Sequence, residues 1–408
     1  MVRFLFSLLI CLPIAISAQT AFTIYNTTNS ELPDNLVNTI YMDASENMWI
    51  GTQTGLVKID TDENWTIYNK TNSGLPENDI RAIFVDDENN LWVGVYLNGL
   101  VKYNGVDWIN YTTDNSDIPD NNVEAINKDV NDTMWIGSKG GLTKWDGADF
   151  WYTYNSDNSN LKSSNIPAIL IDENDVKFLG SINGGLSTYD HGIINYYRTE
   201  NSDIGDNTIL AIEEDIYHNK WLATSFGGLI VVTEDFTFLN FNIATSDIPD
   251  LSVDDVAVDN NQIGVMGMAT TGLVTFDNTN WTIFNTLNSA IPEDNINTVL
   301  VDKENRIWAG TEASGFFILD RELLSATNQE VQDQIEIIPN PAADILILTG
   351  CELNSTIEIY DLTGKLWMQN KLFNSNSFIS LKNIPDGNYI ITIRDKTAFY
   401  TKQLTVMH

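Results

Sequence analysis

Residues 43–59 read DASENMWIGTQTGLVKI, and the spacing within this stretch recurs along the chain. An aspartate, Asp43, is followed six positions later by Trp49, then by the step Gly55-Leu56. The arrangement returns along the chain at Asp86, Asp129, Asp172, Asp215, Asp259 and Asp302, at intervals of 43 residues with one of 44. The large apolar group six positions on is Trp92, Trp135, Phe178, Trp221, Val265 and Trp308. The glycine steps are Gly99-Leu100, Gly141-Leu142, Gly185-Leu186, Gly228-Leu229, Gly272-Leu273 and Gly315-Phe316. A turn signal, Asn-Ser-x-Ile-Pro-x-Asn in type, keeps the same register from Asn29, Asn72, Asn115, Asn158, Asn201, Thr245 and Asn288.

Each unit predicts four short strands, a to d, at 37–41, 48–51, 56–59 and 65–68 in the first repeat. They are rich in β-branched and aromatic residues, and Asp/Asn/Gly clusters separate them. Four strands per 43 residues indicate a β-propeller blade. Strand d also occurs at 22–25, before the first a-b-c unit, and is missing after the last. Residues 22–25 are therefore expected to complete the seventh blade and close the ring, which removes the open sheet edges. The expected fold is all-β: a seven-bladed propeller over 19–320, followed by a linker at 321–334 and a small β-sandwich at 335–408.

The repeats resemble those of the two-component regulator propeller family, on the strength of Asp43, Trp49-Ile50-Gly51-Thr52 and Gly55-Leu56. In that family such propellers often form the periplasmic sensor half of hybrid histidine kinases. This sequence has one ring and neither a membrane span nor a kinase, so the resemblance implies a ligand-binding fold without implying signalling. The fourth and sixth units depart from the pattern at Phe178 and Val265.

Charge narrows the function further. Asp and Glu number 56 against 21 Lys and Arg, giving a formal net charge of −35. Such a field repels phosphate backbones and anionic lipid, which argues against nucleic-acid and membrane-surface partners. Three histidines and two cysteines are too few for a zinc cluster or a disulfide framework. Arg3, the apolar run 4–16 and Ser17-Ala18 before Gln19 describe a secretory signal peptide at 1–18. Cys11 lies inside its apolar stretch, preceded by a bulky Ile10, which sets aside a lipoprotein reading. The mature chain is expected to be exported, with no transmembrane anchor.

Residues 335–408 hold seven acidic and six basic side chains, so the acidity belongs to the repeats. Six alternating apolar runs, with Thr363-Gly364 and Asp386-Gly387 as hairpin turns, predict the small sandwich. Pro339-Asn340-Pro341, Gly364-Lys365, Gly387, Tyr389 and Lys402 resemble the C-terminal sorting domain of the type IX (Por) secretion system. The resemblance implies export through both membranes with that machinery as partner, and a protein that is secreted or held at the cell surface. An ordinary appended sandwich is the alternative.

The repeated tryptophans are expected to pack between blades rather than to stack on sugars. The repeated aspartates suit turns better than calcium, because one carboxylate per blade does not supply six oxygens. No cofactor is expected, calcium being the only candidate. Function is sought where the repeats differ, in the b–c loops that share a face with the d–a connections around the channel mouth. The candidate ligand contacts are Gln53, Tyr96, Asn98, Lys139, Asn183, Phe226 and Glu312; neutral drift of exposed loops is the competing explanation. No nucleophile elbow, phosphate loop or H-E-x-x-H motif occurs. The sequence therefore points to a module that recognises a glycan, a peptide or a protein. A carbohydrate-active hydrolase or lyase, or a detached sensor, stands as the alternative.

Overall fold

The computed structural model describes residues 21–148, 150–324, 336–338, 340–343, 345–349, 355–371, 377–394 and 399–408. The expected signal peptide, residues 325–334 of the expected linker, Ile335 and Pro339 lie outside these. Seven four-stranded antiparallel sheets form the blades. Blade 1 runs Val37–Met42, Met48–Thr52, Leu56–Ile59 and Trp65–Tyr68 from strand a to strand d. Blade 7 is assembled from both ends of the domain: Ile296–Val301, Ile307–Thr311 and Phe316–Leu319, with Phe22–Tyr25 as its outer strand. The closing register sets Phe22 opposite Leu319 and Tyr25 opposite Phe316.

Strand b shows why the sequence is so repetitive. All five residues of Met48–Thr52 are buried, and so are their counterparts in every blade, because both faces of the strand meet protein. The glycine inside that strand is a packing requirement. A Cβ on Gly94 or Gly137 would stand 2.5 or 2.3 Å from a backbone oxygen of the next blade, at Val123 and Ile166. The glycine opening strand c meets a different constraint. Gly99 has φ +85°, and a Cβ there would stand 2.1 Å from the Tyr111 carbonyl oxygen, so only glycine fits.

In the five repeats that have the tryptophan, it is bonded to the repeat's aspartate. One oxygen of Asp43 accepts the backbone N–H groups of Ser45 and Asn47, fixing the a–b turn; the other accepts the Trp49 indole N–H at 2.9 Å. The same indole bond, at 2.8–3.0 Å, joins Trp92 to Asp86, Trp135 to Asp129, Trp221 to Asp215 and Trp308 to Asp302. These rings are buried between blades, as expected of core packing. Burial alone would raise the Asp86 carboxyl; the indole, the Asn90 side chain and two backbone amides together hold it below the ordinary carboxylate value.

The d–a segments are turns as well. Asn29 accepts from the Asn26 N–H at 2.8 Å and donates to the Ile24 carbonyl at 3.0 Å, a pattern that recurs at Asn72 and Asn288. Each segment then drives one aliphatic side chain inward, Leu32, Leu75, Ile118, Leu161, Ile204, Ile248 and Ile291, all buried. Each such plug stabilises the ring by roughly 2 kcal/mol.

Residues 321–324, expected as the start of a linker, form a helical turn with Leu323 and Leu324 packed against the core of blade 7. The C-terminal part is a sandwich of a three-stranded and a four-stranded sheet around Leu346, Ile357, Ile359, Ile379, Ile391, Ile393 and Leu404. It contains one strand more than the six expected, Leu366–Lys371. Its side chains are mostly exposed, so no apolar alternation marked it.

Candidate functional site

The a strands of neighbouring blades stand side by side around the central channel. In six of the seven, the second residue is left out of the pairing with strand b, a β-bulge. A bulge re-aims its side chain. Here the unpaired residues are Asn38, Arg81, Glu124, Leu210, Asp254 and Asn297, and with Pro167 of blade 4 they line a cavity of about 500 Å³ at the channel mouth. Lys139, Asn165, Ile182 and Glu312 complete the wall. A smaller hollow of about 220 Å³ adjoins it, between Arg81, Tyr96, Asn122, Glu124 and Lys139.

Around this ring the two cations lie on one side, each beside a carboxylate, and the other side carries carboxylates alone. Blades 2 and 3 supply Arg81 and Lys139. The Arg81 guanidinium binds Asp79 at 2.8 Å and lies 5.0 Å from the centre of the Tyr96 ring, a cation–π contact. The Lys139 ammonium stands 3.6 Å from Glu124, whose carboxyl is raised by burial against the opposing pull of that lysine. Blades 4 and 5 contribute the apolar Pro167 and Leu210. Blades 6 and 7 are acidic: burial pushes Asp254 up to about 6, and the charges of Asp250 and Glu312 add to the effect.

The acidic side continues along the channel wall. Asp255 is pushed up to about 6 by burial, although it accepts the backbone N–H groups of Val299 and Val256, each at 2.9 Å. Glu213 on blade 5 rises to about 7, from burial first and the Asp255 charge second. Chemically, the mouth can hold a ligand with one pole toward Arg81 and Lys139 and the other toward Asp254 and Glu312.

Of the seven loop residues named from sequence, Tyr96, Lys139 and Glu312 line these hollows. Glu312 also accepts from the Asn297 side chain at 3.2 Å. The other four do not line them. The Asn98 side chain donates to the Tyr96 carbonyl at 2.8 Å, which braces the loop. Asn183 sits at φ +60° with its N–H on Thr208, a turn role. Gln53 and Phe226 stand exposed on the same loops, their backbone N–H groups bonded to Leu36 and Asp206. Sequence reasoning missed Arg81, Glu124 and Asp254. Their signal was present: each lies five positions before the repeat aspartate, at a column holding Asn, Arg, Glu, Pro, Leu, Asp and Asn.

Among the described residues no group of three or more His, Cys, Asp or Glu side chains is placed to hold a metal ion. None of the three histidines lines the mouth: His191 is in the c–d turn of blade 4, His218 in the a–b turn of blade 5, and His408 beside Asp386 in the sandwich.

Residues 31–54, 74–96 and 290–313 match the two component regulator propeller model, and 336–407 match the secretion system C-terminal sorting domain. The chain carries two component regulator propeller repeats and a secretion sorting domain. The sorting domain implies the type IX secretion machinery as partner and a destination at the cell surface or outside the cell. Among the described residues no helix is long and apolar enough to cross a membrane.

The fold of this exported propeller recurs in solved structures. It superposes on the extracellular domain of the hybrid two component system BT3049 from B. thetaiotaomicron with a TM-score of 0.69 at 18% identity, over 95% of this chain and 57% of that one. PorZ, a surface component of the type IX secretion system of Porphyromonas gingivalis, gives 0.58 at 17% identity over 92% and 60%. The virginiamycin B lyase from Staphylococcus aureus, in a catalytically inactive form with quinupristin, gives 0.59 at 14% identity over 73% and 98%. The chain thus spans under two thirds of the length of the first two. No curated protein sequence matches it.

In the sorting domain, the Asn340 side chain donates to the Gln403 carbonyl and accepts the Thr405 N–H, both at 2.9 Å, so it pins the last strand. Gly364 takes φ +85° in its hairpin turn, Lys365 covers the Trp367 ring at 4.1 Å, and the Tyr389 hydroxyl donates to Pro385 at 2.7 Å. These contacts are structural. Gly387 opens the strand that pairs with the last one, and Lys402 faces a surface hollow on that last strand.

Proposed function

We propose that this exported propeller is a recognition module that binds a glycan, a peptide or a protein at its channel mouth and performs no chemistry there. The observation that carries the reading is the bulged ring. One side chain per blade is turned out of an otherwise repeated scaffold into a common cavity, and these side chains differ from blade to blade. A rigid frame presenting unlike groups to one space is how a scaffold builds selectivity. The segregation of Arg81 and Lys139 from Asp254 and Glu312 favours a ligand carrying both a negative and a positive or strongly donating group.

Incubating the mature protein with a panel of oligosaccharides and peptides, with both binding and released mass recorded, tests this. Binding that weakens in Lys139→Ala and Glu312→Ala, with no products, supports it. Products lost in the same variants would move the protein to the hydrolase or lyase class.

A further inference from the structure

The repeat places a buried or half-buried aspartate in every blade and, in six of the seven, sets an N–H donor against its second oxygen. In five blades the donor is the indole of a tryptophan. Blade 6 has Val265 instead, and there the guanidinium of Arg321 pairs with that same oxygen of Asp259. Blade 4 has Phe178, a ring with no donor. Asp172 accepts the Asn174 and Val176 N–H groups on one oxygen, at 3.0 and 2.9 Å, and no side chain among the described residues hydrogen-bonds the other.

A cleft of about 400 Å³ lies between blades 4 and 5, with Phe178 in its wall where the equivalent cleft between blades 7 and 1 holds Trp308. Asp172 is on its wall. Its apolar surfaces are Phe178, Tyr197 and Phe236, with Phe236 stacked on Tyr197 at 5.2 Å and on Phe178 at 6.1 Å. Phe236 is 37% exposed, so the cleft opens to solvent. Lys220 reaches over Phe178 at 4.7 Å, but its ammonium is held by Glu214 and the His218 carbonyl, each at 2.8 Å, and does not bond Asp172. Glu234 and Asp190 add negative charge to the rim.

We propose that this cleft takes an arginine side chain from a partner protein, its guanidinium on the free oxygen of Asp172 and its plane against the aromatic walls. The chain supplies its own precedent in Arg321 on Asp259. Charge agrees, because the one ammonium in the cleft is matched by Glu214, and among the described residues Asp172 and Glu234 have no cationic partner while Asp190 has His191. A guanidinium is flat and weakly hydrated, so it suits aromatic walls better than a lysine ammonium does.

The test titrates the mature protein with capped Gly-Arg-Gly and with its citrulline, lysine and tryptophan counterparts, followed by ligand-observed NMR. Citrulline keeps the planar N–H groups and removes the charge. The arginine peptide is expected to bind at least tenfold more tightly than the other three. Phe178→Trp, which restores the repeat's own indole, should cost at least tenfold in that affinity with the melting temperature unchanged or raised. Asp172→Asn, which keeps the turn acceptor, should do the same. No binding, equal binding of citrulline, tighter binding of tryptophan, or full affinity in both cleft variants would overturn the proposal.

Discussion

Arg321, on the helical turn that follows the last blade, pairs with Asp259 at the oxygen that an indole occupies in five other blades. The aspartate is buried, so the carboxylate could not stand unpaired without a large desolvation cost. The turn at 321–324 therefore belongs to the ring energetically. Arg321→Ala is expected to lower stability by about 2–4 kcal/mol. Val265→Trp in the same background should recover part of the loss, by returning the donor the repeat uses elsewhere. Chemical denaturation of the four proteins of that cycle measures the coupling, and additive effects would show that the two donors do not share a site.

Trp92→Phe separates the indole bond from ring packing. It removes one of the two donors to the buried Asp86 oxygen, which keeps the Asn90 amide at 2.8 Å, at a cost of about 1 kcal/mol. The sign with pH follows from the lowered Asp86 carboxyl. A depressed folded-state pKa contributes stability that is present above the unfolded value, near 4, and is lost as pH falls below it. The variant's deficit should thus be full at pH 7 and shrink toward pH 3; a constant deficit would mean that only packing was lost.

The channel carboxyls behave in the opposite way. Glu213 and Asp255 are raised to about 7 and about 6, so in the fold their charged forms are disfavoured. Their penalty is absent below about pH 4, grows as pH rises, and is complete above pH 7. Glu213→Gln is expected to stabilise the protein by about 1–2 kcal/mol at pH 8 and by much less at pH 4.5. Thermal melts at the two pH values decide this, and an equal gain at both would contradict the assignment.

Removal of residues 336–408 takes away the whole sorting domain. The truncated protein should accumulate in the periplasm, while the full chain reaches the surface or the medium. Cell fractionation with antibody against the propeller reads the difference. Surface delivery of the truncated form would mean that another segment carries the address.

Ring size, closure and the packing role of the tryptophans were legible because a blade is covered on both sides. Each turn of the ring then imposes the same small, large and aromatic residues at the same positions. The 43-residue register made that visible, as did the lone d strand at Phe22–Tyr25. Less was legible where repetition ends. The strand Leu366–Lys371 has only adjacent Trp367 and Met368 half-buried against the core and no alternation, and the helical turn at 321–324 reads as polar linker until Asp259 is seen to need a partner. At the mouth, attention to loops found Tyr96, Lys139 and Glu312 but passed over Arg81, Glu124 and Asp254. Those sit within strands, and only the bulge, a backbone event with no residue signature of its own here, turns them into the channel.

On this reading the charged groups of the mouth select the ligand. The most direct test is the affinity of the best ligand from the panel for wild type and for the double reversal Lys139→Glu with Glu312→Lys, which keeps net charge and exchanges the poles. A loss of tenfold or more, with the melting temperature unchanged, is the predicted result. Undiminished affinity in the reversed protein would place recognition elsewhere on the molecule.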